Sequence, residues 1–167
     1  MRYLPAAIAL SLLAAVSASV GDAASRNADP RAVELVAQGK ALLNSGETQQ
    51  AIDSFEAALA VDPAYSDVYL ELAEAARKEG LQGKAIHYYR EALEQEPNNL
   101  AAISGEGEAM VEKGAVAKAE ENLAKLKSMC GEGCNETQEL AAAIAAGPRQ
   151  KVLTAEAVAP EPTVTQN

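Results

Sequence analysis

The chain has no tryptophan, one phenylalanine and one histidine, and only two cysteines, Cys130 and Cys134. So few aromatic side chains leave little to fill a β-sandwich core, whereas abundant Ala, Leu and Glu favour closely packed helices. With His87 alone there is no imidazole acid–base pair. The sequence also lacks a nucleophile motif and a glycine-rich phosphate loop. Neither an enzyme nor a bound cofactor is expected. His87 reads as a solvated residue on an outer helix face. Basic residues are scarce too: 14 Lys and Arg face 24 Asp and Glu, a formal net charge of −10. That imbalance argues against nucleic acid and anionic membrane surfaces, both of which need a basic face.

Long apolar runs are missing except near the start. Ala6 to Val16, interrupted only by Ser11 and preceded by Arg2, is apolar, but shorter than the roughly 20 residues needed to span a bilayer. Small residues follow, so residues 1–23 read as a secretory signal peptide cleaved after Ala18 or Ala23. The mature protein is expected to be exported, periplasmic or secreted, and not inserted in a membrane. At the other end, residues 148–167 carry three prolines and no sustained period. This tail is expected to be disordered, because it buries too little apolar surface to offset its ordering entropy.

Between residues 30 and 131 the chain repeats itself every 34 residues. Pro63 and Pro97 close two helical runs, "ALAVDP" and "ALEQEP". The same interval aligns Leu35, Tyr69 and Ile103; Gly39, Ala73 and Gly107; Gly46, Gly80 and Gly114; and Phe55, Tyr89 and Leu123. Within each unit, apolar and small residues recur at three- and four-residue spacing, as on amphipathic helices. A glycine divides the two halves, where a left-handed residue ends a helix. Asp29-Pro30 opens the array as an N-cap followed by a first-turn proline. The small series Gly39, Ala73 and Gly107 marks expected close helix crossings, and Phe55 and Tyr89 are expected to fill the space between units.

The period, the paired helices and the small/large alternation resemble the tetratricopeptide repeat. The third unit departs from it, with Leu123 in place of the usual aromatic, Leu126 in place of alanine and Gly131 in place of proline. The expected fold is all-α: a right-handed α-solenoid of three helical hairpins (about 30–63, 64–97 and 98–131) plus a C-terminal capping helix over 132–147. Asn135 is the expected N-cap of that last helix, with Gln138 reaching back to it as in a capping box.

Cys130 and Cys134 fall in the connection between the third unit and the capping helix. In an exported chain, paired cysteines oxidise, and glycines at 131 and 133 allow the turn that a disulfide needs. A redox-labile pair and a Cu(I) site with Met129 are the sharper alternatives. Structural zinc lacks ligands, so no metal is expected.

The resemblance implies a protein or peptide partner held in a concave groove lined by the first helix of each unit. Spacing assigns that face to Val33, Val36, Ala37, Lys40 and Asn44; then Asp67, Leu70, Glu71, Glu74 and Lys78; then Ala101, Ser104, Gly105, Glu108 and Glu112. One end is apolar and the other acidic, so a basic or mixed basic-apolar segment is the expected occupant. The leading reading is a non-enzymatic adaptor of the bacterial periplasm or envelope. Two others stand beside it: a redox or metal-handling factor acting through Cys130 and Cys134, and a self-assembling homo-oligomeric scaffold.

Overall fold

The computed structural model describes residues 27–148. The expected signal peptide and residues 149–167 of the expected tail lie outside that range. The described residues form seven helices and no strand: α1 Pro30–Ser45, α2 Thr48–Val61, α3 Asp67–Lys78, α4 Gln82–Gln95, α5 Leu100–Glu112, α6 Val116–Cys130 and α7 Asn135–Ala146. None is long and apolar enough to cross a membrane.

The 34-residue period reappears in the backbone. Glu47, Leu81 and Ala115 donate their N–H groups to Leu42, Ala76 and Met110 at 2.9, 2.8 and 2.8 Å. Each bond closes the turn between the two helices of a hairpin. It requires a left-handed residue just before the donor, and Gly46, Gly80 and Gly114 supply it at φ 85°, 74° and 88°. At the start, the Asp29 carboxylate accepts from the Arg31 N–H at 2.8 Å, and Pro30 takes the first helical position.

Two apolar clusters, joined through Tyr88, form the core. One centres on Phe55, Val68 and Leu72, the other on Tyr89, Ile103, Leu126 and Leu140. Each fully buried large side chain contributes about 1.5–3 kcal/mol of transfer free energy. The Phe55 ring lies where a Cβ on Gly39 would be, and Leu140 lies likewise against Gly107. Tyr89 fills the space between units as expected, but not against the small series. Its ring covers Gly105 of the next unit, two residues from the small series, so Gly105 is buried and does not line the groove. Leu126, a departure from the repeat pattern, is fully buried in the second cluster.

The last helix starts differently from expectation. Cys134 occupies the N-cap in an extended conformation, Asn135 is already helical, and no side chain caps the helix. Gln138 instead donates to the Gly133 carbonyl at 3.4 Å. Hydrophobic burial secures the helix instead, through Leu140 on Gly107.

Candidate functional site: the concave face

Each helix packs on its chain neighbours, but α1 also touches α3, α3 touches α5, and α5 touches α7. The even-numbered helices make no such contacts with one another. A stack whose odd layer is in direct contact and whose even layer is not must curve toward the odd layer. The concave face is therefore built from α1, α3, α5 and α7.

On α1, Val33 is 45% exposed, and Ala37, Lys40 and Asn44 also face solvent. Val36, assigned to this face from spacing, is only 4% exposed and packs in the first core cluster. It belongs to the internal stripe, which on a helix lies only one hundred degrees from the neighbouring face. On α3, Asp67 and Lys78 are exposed, while Leu70 is half-buried against the core. Ser104 on α5 is also misplaced by spacing alone. It is 3% exposed and donates to the Glu136 carbonyl of α7 at 3.0 Å, because the capping helix covers it. Ala101 remains exposed.

The acidic residues are brought together, but not as free charge. Lys40 Nζ on α1 meets Glu71 Oε1 on α3 at 2.8 Å, and this bond raises the lysine pKa. Arg77 on α3 is the hub. Its Nη2 lies 2.9 Å from Glu108 Oε2 and 2.8 Å from Glu112 Oε1, and its Nη1 lies 3.4 Å from Glu74 Oε2. Gln82 Nε2 also donates to Glu112 at 3.1 Å. Burial works against the charge on Arg77, yet its bond to Glu112 and the nearby Tyr89 and Glu108 outweigh that, and its pKa moves up. Burial pushes Tyr89, beneath this cluster, up to about 12, against the opposing pull of Arg77. Three carboxylates around one guanidinium leave an excess of negative charge at this end of the groove.

Two small hollows flank Arg77. One, of about 110 Å³, is lined by Glu74, Arg77, Lys78 and Glu112. The other, of about 160 Å³, runs from Arg77 and Glu108 past Val111 to Ala143 and Ala146 of α7. The α7 residues were not anticipated as lining, since their place depends on where the capping helix docks. The hub role of Arg77 was foreshadowed only by its place three residues after Glu74 and 35 before Glu112.

Away from the groove, Glu106 is buried and accepts from Arg90 Nε at 2.7 Å and Asn122 Nδ2 at 3.0 Å. It thus ties α4, α5 and α6 together. Cys130 and Cys134 have Cα atoms 6.0 Å apart, inside the range of a disulfide. The buried Thr137 hydroxyl lies 3.0 Å from Cys134 Sγ and 3.6 Å from Cys130 Sγ.

Residues 36–99 match the sequence model of the tetratricopeptide repeat family. Among solved structures, the TPR2B domain of yeast Sti1 in its pHsp70 complex is similar with a TM-score of 0.63 and 21% identity, over 71% of this chain and 98% of that one. The type III secretion chaperone SycD of Yersinia enterocolitica, in complex with a peptide of the translocator YopD, matches with a TM-score of 0.59 and 22% identity. That match covers 68% of this chain and 86% of the chaperone. MamA matches at 28% identity with a TM-score of 0.56, over 59% of this chain and 57% of MamA. No curated protein matches the chain significantly. The family model thus spans residues 36–99, and the solved structures share the all-α solenoid fold.

Proposed function

We propose that this tetratricopeptide-repeat chain is a non-enzymatic adaptor that holds a segment of a partner protein on the concave face of α1, α3 and α5. The observation that carries the reading is the make-up of that face. Exposed Val33 and Ala37 at one end give way to the Arg77 cluster, where carboxylates outnumber the guanidinium. Such a face favours a segment with apolar and basic residues over an acidic one. The pHsp70 complex of the Sti1 domain and the peptide complex of SycD lend support, since both use the same fold.

A photo-crosslinking residue at Ala37, with one at the outer position Glu56 as control, tests this in native extract. Partner adducts from Ala37 and none from Glu56 are expected, while equal labelling would refute the groove. We further propose that the chain works in the periplasm or envelope after removal of a signal peptide, with Cys130 and Cys134 joined as a disulfide. Intact mass of the protein from a periplasmic extract tests both points at once. A full-length mass in the membrane fraction, or free thiols in the exported protein, would refute them.

A further inference from the structure

The even-numbered layer carries a feature of opposite charge. Between α4 and the α5–α6 turn lies a hollow of about 370 Å³ lined by Ile86, Arg90, Met110, Lys113, Ala115 and Lys118. Ile86 and Met110 are nearly buried and give it an apolar floor. Arg90, Lys113 and Lys118 are exposed around it. Arg90 is held in place through its Nε, which donates to the buried Glu106. Among the described residues, neither the Lys113 nor the Lys118 ammonium forms an ion pair with a carboxylate.

We propose that this hollow docks a carboxylate-bearing apolar segment of a partner protein. One apolar side chain rests on Ile86 and Met110, and flanking carboxylates meet Lys113 and Lys118. Charge complementarity identifies the occupant: Arg90 is offset by Glu106, but the two lysine ammoniums beside the apolar floor attract anions and repel the basic segment proposed for the groove. The volume suits a side chain with its flanking groups, being within the usual range for small binding sites. The adaptor then has two faces of opposite charge preference and can bridge two segments without either competing for the other's site.

Binding of a fluorescein-labelled nonapeptide of alternating Glu and Leu to the full chain tests the proposal, with Gln/Leu and Lys/Leu peptides as controls. The Glu/Leu peptide should bind and shift the amide resonances of Ile86, Arg90 and Ala115. The double variant Lys113→Glu, Lys118→Glu should weaken it about tenfold or more, and added salt should weaken it too. Both lysines are exposed and unpaired, so circular dichroism and thermal melting of this variant should match the native protein. Glu74→Gln with Glu108→Gln, which alters the groove, should leave Glu/Leu binding within about twofold. Absence of Glu/Leu binding, equal binding by the charge-reversed variant, or shifts confined to α1 and α3 would overturn the proposal. So would tighter binding by a Glu156→Gln, Glu161→Gln variant, which would make the chain's own tail the occupant. A dimer in sedimentation that the lysine reversal dissolves would also overturn it, in favour of a second copy.

Discussion

Arg77 on α3 grips Glu112 on α5 with two bonds, Nη2 to Oε1 at 2.8 Å and Nε to Oε2 at 3.3 Å. Both side chains are largely buried, at 17% and 14% exposure, and the bonds cross from one repeat to the next. Replacing Arg77 with Met would remove the guanidinium that Glu74, Glu108 and Glu112 share. The expected cost is about 2–4 kcal/mol, near the lower end for breaking a buried pair because the groove admits some water. Urea unfolding of Arg77→Met, Glu112→Gln and the double variant measures it. The double variant should be more stable than the sum of the single losses predicts, by about 1 kcal/mol or more. Simple additivity would mean the two residues do not act as a pair.

Tyr89 beneath that cluster provides a pH signature. Its folded pKa is raised from 10.0 to about 12, chiefly by burial. A raised folded pKa means the native state holds the proton longer. Stability from the neutral phenol is therefore fully present below pH 10 and is lost as pH rises toward 12. The loss across that window is of the order of 2–3 kcal/mol. Tyr89→Phe should flatten the alkaline decline in stability, while leaving the decline caused by other groups. Burial raises Tyr65 and Tyr69 as well, so ultraviolet titration of tyrosinate should lose only the latest transition, that of Tyr89, in the variant. Parallel alkaline stability curves for the two proteins would remove Tyr89 as a cause.

Two helical glycines should respond in opposite directions to alanine. A Cβ on Gly105 would collide with the Tyr89 ring, whose position is set by its burial between repeats. Gly105→Ala should destabilise by about 1–3 kcal/mol through overpacking. A Cβ on Gly83 meets only the Lys113 ammonium, at 3.8 Å. Gly83→Ala should stabilise α4 by about 0.5–1 kcal/mol, since alanine loses less backbone entropy in a helix. Thermal melting distinguishes the two. A neutral Gly105→Ala would show that Tyr89 swings away at little cost.

The link between Cys130 and Cys134 should matter locally. A loop this short restrains the unfolded chain by only about 2 kcal/mol. Cys134 is, however, the N-cap of α7, and both sulfurs lie beside the Thr137 hydroxyl of that helix. In a Cys130→Ser, Cys134→Ser variant, hydrogen exchange should quicken in residues 135–147 and change little in 31–60, because coupling along a solenoid passes between neighbours. Leu140 on Gly107 limits the effect, so α7 should loosen without detaching. Uniform loosening along the array would contradict a local role.

The hairpins were legible because the 34-residue interval repeats the same physics three times. A glycine at 46, 80 and 114 meets the same left-handed requirement and permits the same backbone bond. The groove was less legible, because neighbouring stripes of a helix differ by one residue of phase. Val36 and Ser104 lie just across that boundary, the first in the core and the second under α7. Tyr89 on Gly105 was missed for a related reason. Its contact runs to the next repeat, and the crossing between repeats need not copy the crossing within one. Ion pairing was the least accessible feature, since Arg77 finds Glu112 only after both hairpins are stacked.

Lys40 offers a way to tune the groove without disturbing the fold. It pairs with Glu71 across α1 and α3, and its side chain is 51% exposed. At that exposure the pair contributes about 0–1 kcal/mol, so Lys40→Gln should barely move the unfolding midpoint. It would, however, leave Glu71 without its cation beside the apolar end marked by Val33 and Ala37. A peptide of alternating Lys and Leu should then bind about two- to fivefold tighter, and lose that gain as salt rises. Glu71→Gln should act in the opposite sense and weaken the same peptide. Isothermal titration of the three proteins at low and moderate salt reads both effects. If Lys40→Gln and Glu71→Gln shift affinity in the same direction, the peptide does not sense the charge of this face, and the groove is not its site.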